Sequence, residues 1–173
     1  MKRTVLMLAV ISLAFGQDDA RKMRRPPASS PEIIAPTLGV NGLAGTKATL
    51  DQVDLSKLPQ QTVNATDHGT PVTFQGVLLK DILAKVATPI GEAFHSTGAS
   101  YYVLAVAADG YKAVFAWAEV DPGFTDPKVY VVRKRDGQWL SAHDGPFQLV
   151  VPGEKRNGRW VRNLVGLAIR QAN

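Results

Sequence analysis

Two apolar runs meet at Asp109-Gly110. Tyr101 to Ala107 is almost unbroken apolar sequence, Tyr111 to Trp117 is mostly apolar, and Asp-Gly between such runs is a strong hairpin signal. The pattern predicts a β-hairpin over 101–117, its first strand buried on both faces. A hairpin needs further strands or a helix to cover it, so the rest of the chain has to supply a sheet.

It does so in short pieces. Thr37 to Val40 reads as a strand ended by Asn41-Gly42. Leu50, Val53, Leu55 and Leu58 mark a short helix or turn, with Thr49 and Asp51 as candidate caps and Pro59 as a stop. Gln61–Thr66 and Pro71–Gln75 read as strands around an Asp67-His68-Gly69 turn, with Gly76 ending the second. Val77, Leu78, Leu79, Ile82, Leu83 and Val86 have helical spacing and predict the clearest helix of the chain. Further strands are expected over Val129–Val132, Phe147–Val151 and Val161–Ile169, with a turn at Asp136-Gly137. No repeat of 20–50 residues recurs. Many strands and one clear helix predict a strand-rich α+β domain with a mixed, barrel-like sheet.

The first residues follow another logic. Met1-Lys2-Arg3 is basic, Val5 to Phe15 is apolar except for Ser12, and Ala14-Phe15-Gly16 supplies small residues before Gln17-Asp18-Asp19. That order is a signal peptide over 1–16, too short to span a bilayer as a helix. Residues 17–36, with Arg21-Lys22-Met23-Arg24-Arg25 and a run of prolines, read as a disordered basic tether. The domain itself is expected over 37–173, in an exported protein that is periplasmic or secreted. Cleavage after Gly16 leaves 18 basic and 15 acidic residues, too mild a charge for a nucleic-acid binder. Nor is stable membrane insertion expected after cleavage.

The 173 residues include no cysteine. Thiolate catalysis, iron–sulfur clusters and Cys-based zinc sites are therefore excluded. The histidines are His68, His95 and His143, and no spacing among them marks a metal site. Ser141, His143 and Asp144 have the residue types of a triad, but sit in one turn without a nucleophile elbow. Basic residues crowd into Pro152-Gly153-Glu154-Lys155-Arg156-Asn157-Gly158-Arg159-Trp160-Val161-Arg162, a glycine-bracketed loop between two apolar strands. Such a loop can turn guanidinium forks and backbone N–H groups on one anion. It can equally be a solvated hairpin whose arginines cover Trp160. Tyr111 is either ordinary hairpin sequence or a hydroxyl offered to a ligand.

Taken together the segments resemble the molybdopterin-binding domain of sulfite-oxidase-type oxidoreductases. Leu38-Gly39-Val40-Asn41-Gly42 resembles its opening, Phe74-Gln75-Gly76-Val77-Leu78-Leu79-Lys80-Asp81-Ile82-Leu83 its G-V-P-L-x-D-L-L helix, and Ala108-Asp109-Gly110-Tyr111 its A-D-G-Y hairpin. Asp144-Gly145-Pro146-Phe147-Gln148-Leu149-Val150-Val151-Pro152-Gly153 resembles its D-G-P-x-R-L-V-V-P-G strand, and Arg159-Trp160-Val161-Arg162 stands where the family has R-x-V-K-W. The resemblance covers about residues 37–170, in order. It implies that Asp109 and Tyr111 face cofactor or substrate, and that Arg159 and Arg162 belong to an anion pocket, to which Arg156 of the same basic loop is added as a candidate. It also implies that the family's molybdenum-ligating cysteine belongs in the turn that here reads Asp67-His68-Gly69.

Two functions follow from the resemblance. One is a molybdopterin-dependent oxidoreductase acting on a small oxyanion, with the metal held by the cofactor alone or helped by Asp67 or His68, and with a redox partner. The other is a non-catalytic, metal-free module that keeps the anion pocket for a small anion or a protein partner.

Overall fold

The computed structural model describes residues 35–86, 98–126 and 128–172. The leader and tether expected over 1–36 fall almost entirely outside them, as do His95 and most of the loop after Val86.

Among the described residues the domain has ten strands and three short α-helices. Strand β1 is Leu38–Asn41, β2 Lys47–Leu50, β3 Gln61–Asp67, β4 Thr70–Leu78, β5 Tyr101–Ala107, β6 Lys112–Ala116, β7 Tyr130–Arg135, β8 Gln138–Trp139, β9 Gln148–Val150 and β10 Leu164–Gln171. Helix α1 is Gln52–Ser56, α2 Leu79–Leu83 and α3 Trp117–Val120. The strands form two sheets, one ordered β2-β1-β10-β5-β6 and the other β3-β4-β7-β8, with β9 also on β7. Among the described strands only β1 and β10 run parallel, which makes the first sheet mixed. The fold is strand-rich α+β.

A single buried cluster takes side chains from both sheets, among them Phe74, Val103, Phe115, Val131, Leu149 and Leu167. Leu55 of α1 and Leu79, Ile82 and Leu83 of α2 close it. Helix α1 starts where Asp51 caps it: the Asp54 amide donates to Asp51 Oδ1 at 2.8 Å, and the Asp51 amide donates back to Asp54 Oδ2 at 3.3 Å. Thr49, the other candidate cap, lies in β2 opposite Gly39.

Several expectations are corrected. Gly76 does not end its strand. The Gly76 Cα position lies so close to β7 that an added Cβ would stand 2.2 Å from the Val131 carbonyl oxygen, and the β4–β7 register shifts there. Glycine lets the strand cross this close point and run on to Leu78. Val77 and Leu78 therefore pair with Val131 and Tyr130 instead of beginning a helix, and α2 has five residues. Ladder pairing wins over helical spacing because β7 is already in place to accept it. The strand at 101–107 is not buried on both faces. Val103, Ala105 and Ala107 are buried, whereas Tyr102, Leu104 and Val106 are half-exposed, on the side where Val114 opposite Leu104 is also exposed. The last strand begins at Leu164, because Asn163 turns the chain at φ 46° and Val161 makes only an isolated bridge to Leu149.

Replacing Gly76 with alanine sets a methyl against the backbone of β7. It is expected to lower unfolding stability by about 1–3 kcal/mol, read as a lower denaturant midpoint. An unchanged midpoint would show that β4 and β7 are not in this close contact.

Candidate functional site

Three turns meet at one end of the two sheets. The β3–β4 turn contributes Thr66, His68 and Gly69, the β5–β6 turn contributes Ala107, Asp109 and Tyr111, and the long β9–β10 connection contributes Glu154 to Gly158, Trp160 and Arg162. They line an open cleft of about 700 Å³, within the range of small-ligand sites.

Local chemistry sets each turn. Gly69 takes φ 86° and His68 φ 47°, so the β3–β4 turn is the left-handed kind that matches strand twist. It leaves the His68 ring 79% exposed at the cleft. In the β5–β6 turn the Tyr111 amide donates to Asp109 Oδ1 at 2.9 Å, and the Gly110 amide, at φ 88°, donates to the Ala107 carbonyl at 3.0 Å. Tyr111 extends from that turn, and its hydroxyl donates to the Gly158 carbonyl across the cleft. Trp160 anchors the third segment. It is buried edge-on against Phe74 at 5.5 Å, and its indole N–H donates to the Val151 carbonyl at 3.1 Å.

The site residues expected from sequence divide into two groups. His68, Asp109, Tyr111, Arg156 and Arg162 come together in the cleft lining. Asp67 and Arg159 do not line it. The Asp67 carboxylate is buried and accepts from Arg135 Nη1 at 2.7 Å and Asn157 Nδ2 at 2.8 Å. Burial works against its charge, but these two bonds outweigh burial and hold its pKa below the ordinary carboxylate value. Arg159 lies over the Phe115 ring at 4.8 Å, bonds both oxygens of Glu119 at 2.9 and 3.0 Å, and pairs with Glu154. Burial opposes its charge too, but the bonds to Glu154 and Glu119 raise its pKa. Its donors are spent on these carboxylates, and among the arginines of this loop it is Arg159 that covers an aromatic ring, Phe115 and not Trp160.

The remaining cations decide the character of the cleft. Arg162 Nε contacts Asp144 Oδ1 at 3.0 Å and stays 42% exposed. Lys155 and Arg156 form no ion pair among the described residues. Arg159 is shared between Glu154 and Glu119, so the cations of this wall without an ion pair among the described residues are Lys155 and Arg156. Lys155 and Asn157 carry no signal of their own in the sequence beyond lying in the basic loop.

Ser141, His143 and Asp144 do not form a relay. Ser141 Oγ donates to Asp144 Oδ2 at 3.1 Å and His143 Nδ1 meets Asp144 Oδ1 at 3.0 Å, so hydroxyl and imidazole share one carboxylate. The same carboxylate holds Arg162.

The donor set fits an anion better than a protein-ligated molybdenum. The chain has no thiolate, and among the described residues no group of three or more His, Cys, Asp or Glu converges. In the turn expected to hold the metal ligand, Asp67 is committed to Arg135 and Asn157. His68 alone is exposed there, and one imidazole is a poor replacement for the soft thiolate.

No family model matches the sequence, and no curated protein matches it. Among solved structures the fold is similar to the sulfane dehydrogenase SoxCD from Paracoccus pantotrophus, with a TM-score of 0.60 and 22% identity. The match covers 78% of this chain and 38% of that chain. At this identity the likeness is one of fold, and the chain spans well under half the length of the protein it matches.

Asp67→Asn tests the tie behind the cleft. A carboxyl held below its unfolded value of 3.8 stabilises the fold at all higher pH, and that contribution fades as pH falls through the folded value. The wild type is therefore expected to exceed Asp67→Asn in stability near neutral pH, by a margin that shrinks as pH drops below 3.8. Denaturant midpoints across that range check it. A margin that widens on acidification would contradict the assignment.

Proposed function

We propose that this chain is a binding module of the sulfite-oxidase molybdopterin-binding type, which holds a small oxyanion or the phosphate of a pterin-like ligand without a protein-ligated metal. One observation carries the reading: Lys155 and Arg156, without ion-pair partners among the described residues, share one cleft with the part-exposed Arg162. Ammonium and guanidinium groups of this kind suit tetrahedral or planar oxyanions. The ordered resemblance of residues 37–170 to that domain supports the class, as does the fold shared with a sulfane dehydrogenase.

A redox reading keeps one support, that the protein of similar fold is a dehydrogenase. Under it, Lys155, Arg156 and Arg162 would hold the cofactor's phosphate or an oxyanion substrate, and the cofactor itself would supply the electron chemistry. The chain's own residues would then bind and orient. The basic, apolar and small order of residues 1–16 supports export of the mature chain. No described helix is long and apolar enough to cross a membrane.

Protein purified from a host that makes molybdopterin separates the readings. The binding-module reading expects molybdenum far below one atom per chain, together with saturable binding of inorganic phosphate. Affinity for phosphate is expected to fall about tenfold in Arg156→Ala combined with Arg162→Ala, the loss of one to two charge-assisted bonds. Stoichiometric molybdenum would overturn the metal-free reading, and an unchanged phosphate affinity in the double variant would overturn the anion site.

A further inference from the structure

A second cavity lies away from the cleft, beside the β7–β8 hairpin. It encloses about 460 Å³ and is lined by Ser56, Gln60, Thr62, Gln75, Arg133, Lys134 and Trp139, with Gln61 beside them. Three features set it apart from an ordinary surface hollow.

The first is a buried charge without a counter-charge. Arg133 is 8% exposed, yet its hydrogen-bond partners are neutral oxygens: the Gln52 carbonyl at 2.8 Å, the Gln52 side chain at 3.5 Å and the Gln60 side chain at 2.8 Å. Its Nε is buried and has no partner among the described residues. A buried cation is ordinarily paired with a carboxylate, and burial here lowers the pKa of Arg133. Lys134 adds a second positive charge and also forms no ion pair among the described residues.

The second feature is an exposed indole. Trp139 is 60% exposed, the most exposed large apolar side chain among the described residues. The β7–β8 hairpin fixes it in place: Lys134 pairs with Trp139 across the ladder, and the turn residues Asp136 and Gly137 take φ 49° and 79°. The third feature is that both cations lie against this ring. Lys134 Nζ is 4.8 Å from the ring centroid and the Arg133 guanidinium carbon 5.8 Å.

We infer that this cavity is a second ligand site, distinct from the cleft, that takes a small aromatic anion with its ring against Trp139 and its negative group toward Arg133 and Lys134. The uncompensated charge selects an anion, and the exposed indole selects a planar ring. Gln60, Gln75, Ser56 and Thr62 supply neutral donors and acceptors around the edge. The volume suits a molecule, as small-ligand sites run to roughly 300–1,000 Å³.

Salicylate tests this on the full chain, with acetate as the ring-free control and phenol as the uncharged one, followed by amide and indole shifts in proton–nitrogen spectra. Saturable shifts are expected at the Trp139 indole N–H and at the amides of Lys134 and Thr62. Acetate and phenol should each bind about tenfold more weakly or not at all. Trp139→Ala is expected to weaken salicylate about tenfold and Lys134→Gln roughly threefold. Trp139 is exposed and Lys134 half-exposed, so the fold should survive the changes, whereas Arg156→Ala in the cleft should leave the shifts unaltered. Absence of shifts at these positions would overturn the proposal. So would equal binding of acetate and salicylate, or an affinity unchanged in both surface variants.

Discussion

The buried carboxylate of Asp67 holds together three segments that are far apart in sequence. It ends β3, accepts from Arg135 on β7, and accepts from Asn157 in the β9–β10 connection. Sheet pairing sets β3 and β7 on either side of β4, and the Arg135 side chain spans the remaining distance to Asp67. It does not place the connection, which between Val151 and Leu164 has little regular structure beyond one short 3-10 turn and one bridge. The Asn157 bond to Asp67, the Tyr111 bond to Gly158 and the burial of Trp160 against Phe74 are what position it. Lys155 and Arg156 face the cleft because their neighbours are fixed in these ways.

This tie also changes the meaning of the Asp67-His68-Gly69 turn. By resemblance, a metal-ligating cysteine is expected in that turn. In this chain the aspartate of the turn points to a guanidinium and an amide, and the histidine is left exposed. The turn has become part of the scaffold behind the cleft. The arginines divide in a similar way. Arg135 and Arg159 are held by carboxylates and serve the structure, Arg162 shares Asp144 with Ser141 and His143, and Lys155 and Arg156 keep their charge for the cleft. Counting basic residues in the loop could not separate these roles, because the separation depends on Glu119 and Asp144, which are distant in sequence.

Much of the fold was legible in the sequence because local signals and tertiary pairing agreed. The Asp109-Gly110 hairpin, the Asp51 cap and the strands on either side of the Asp67-His68-Gly69 turn are cases of that agreement. Reading failed where a distant partner decided. Val77 and Leu78 have helical spacing, yet β7 takes them into a ladder, and Gly76, which looks like a strand end, is the point of closest approach. The cleft was half legible. The loop, Asp109 and Tyr111 carry turn and charge signals of their own. Lys155 and Asn157 acquire roles only when the loop is folded against β3. Nothing local marked the cavity at Trp139, whose exposure follows from a two-residue strand at the end of a sheet.

An anion held by Lys155 and Arg156 between the three turns would perturb the backbone around them. The most direct measurement is the shift of backbone amides on addition of inorganic phosphate to the full chain. Saturable shifts are expected at Lys155 to Gly158 and at Tyr111, with β2 and the outer face of β6 unaffected. Phosphate that binds without moving these amides, or that moves only residues far from the three turns, would contradict it.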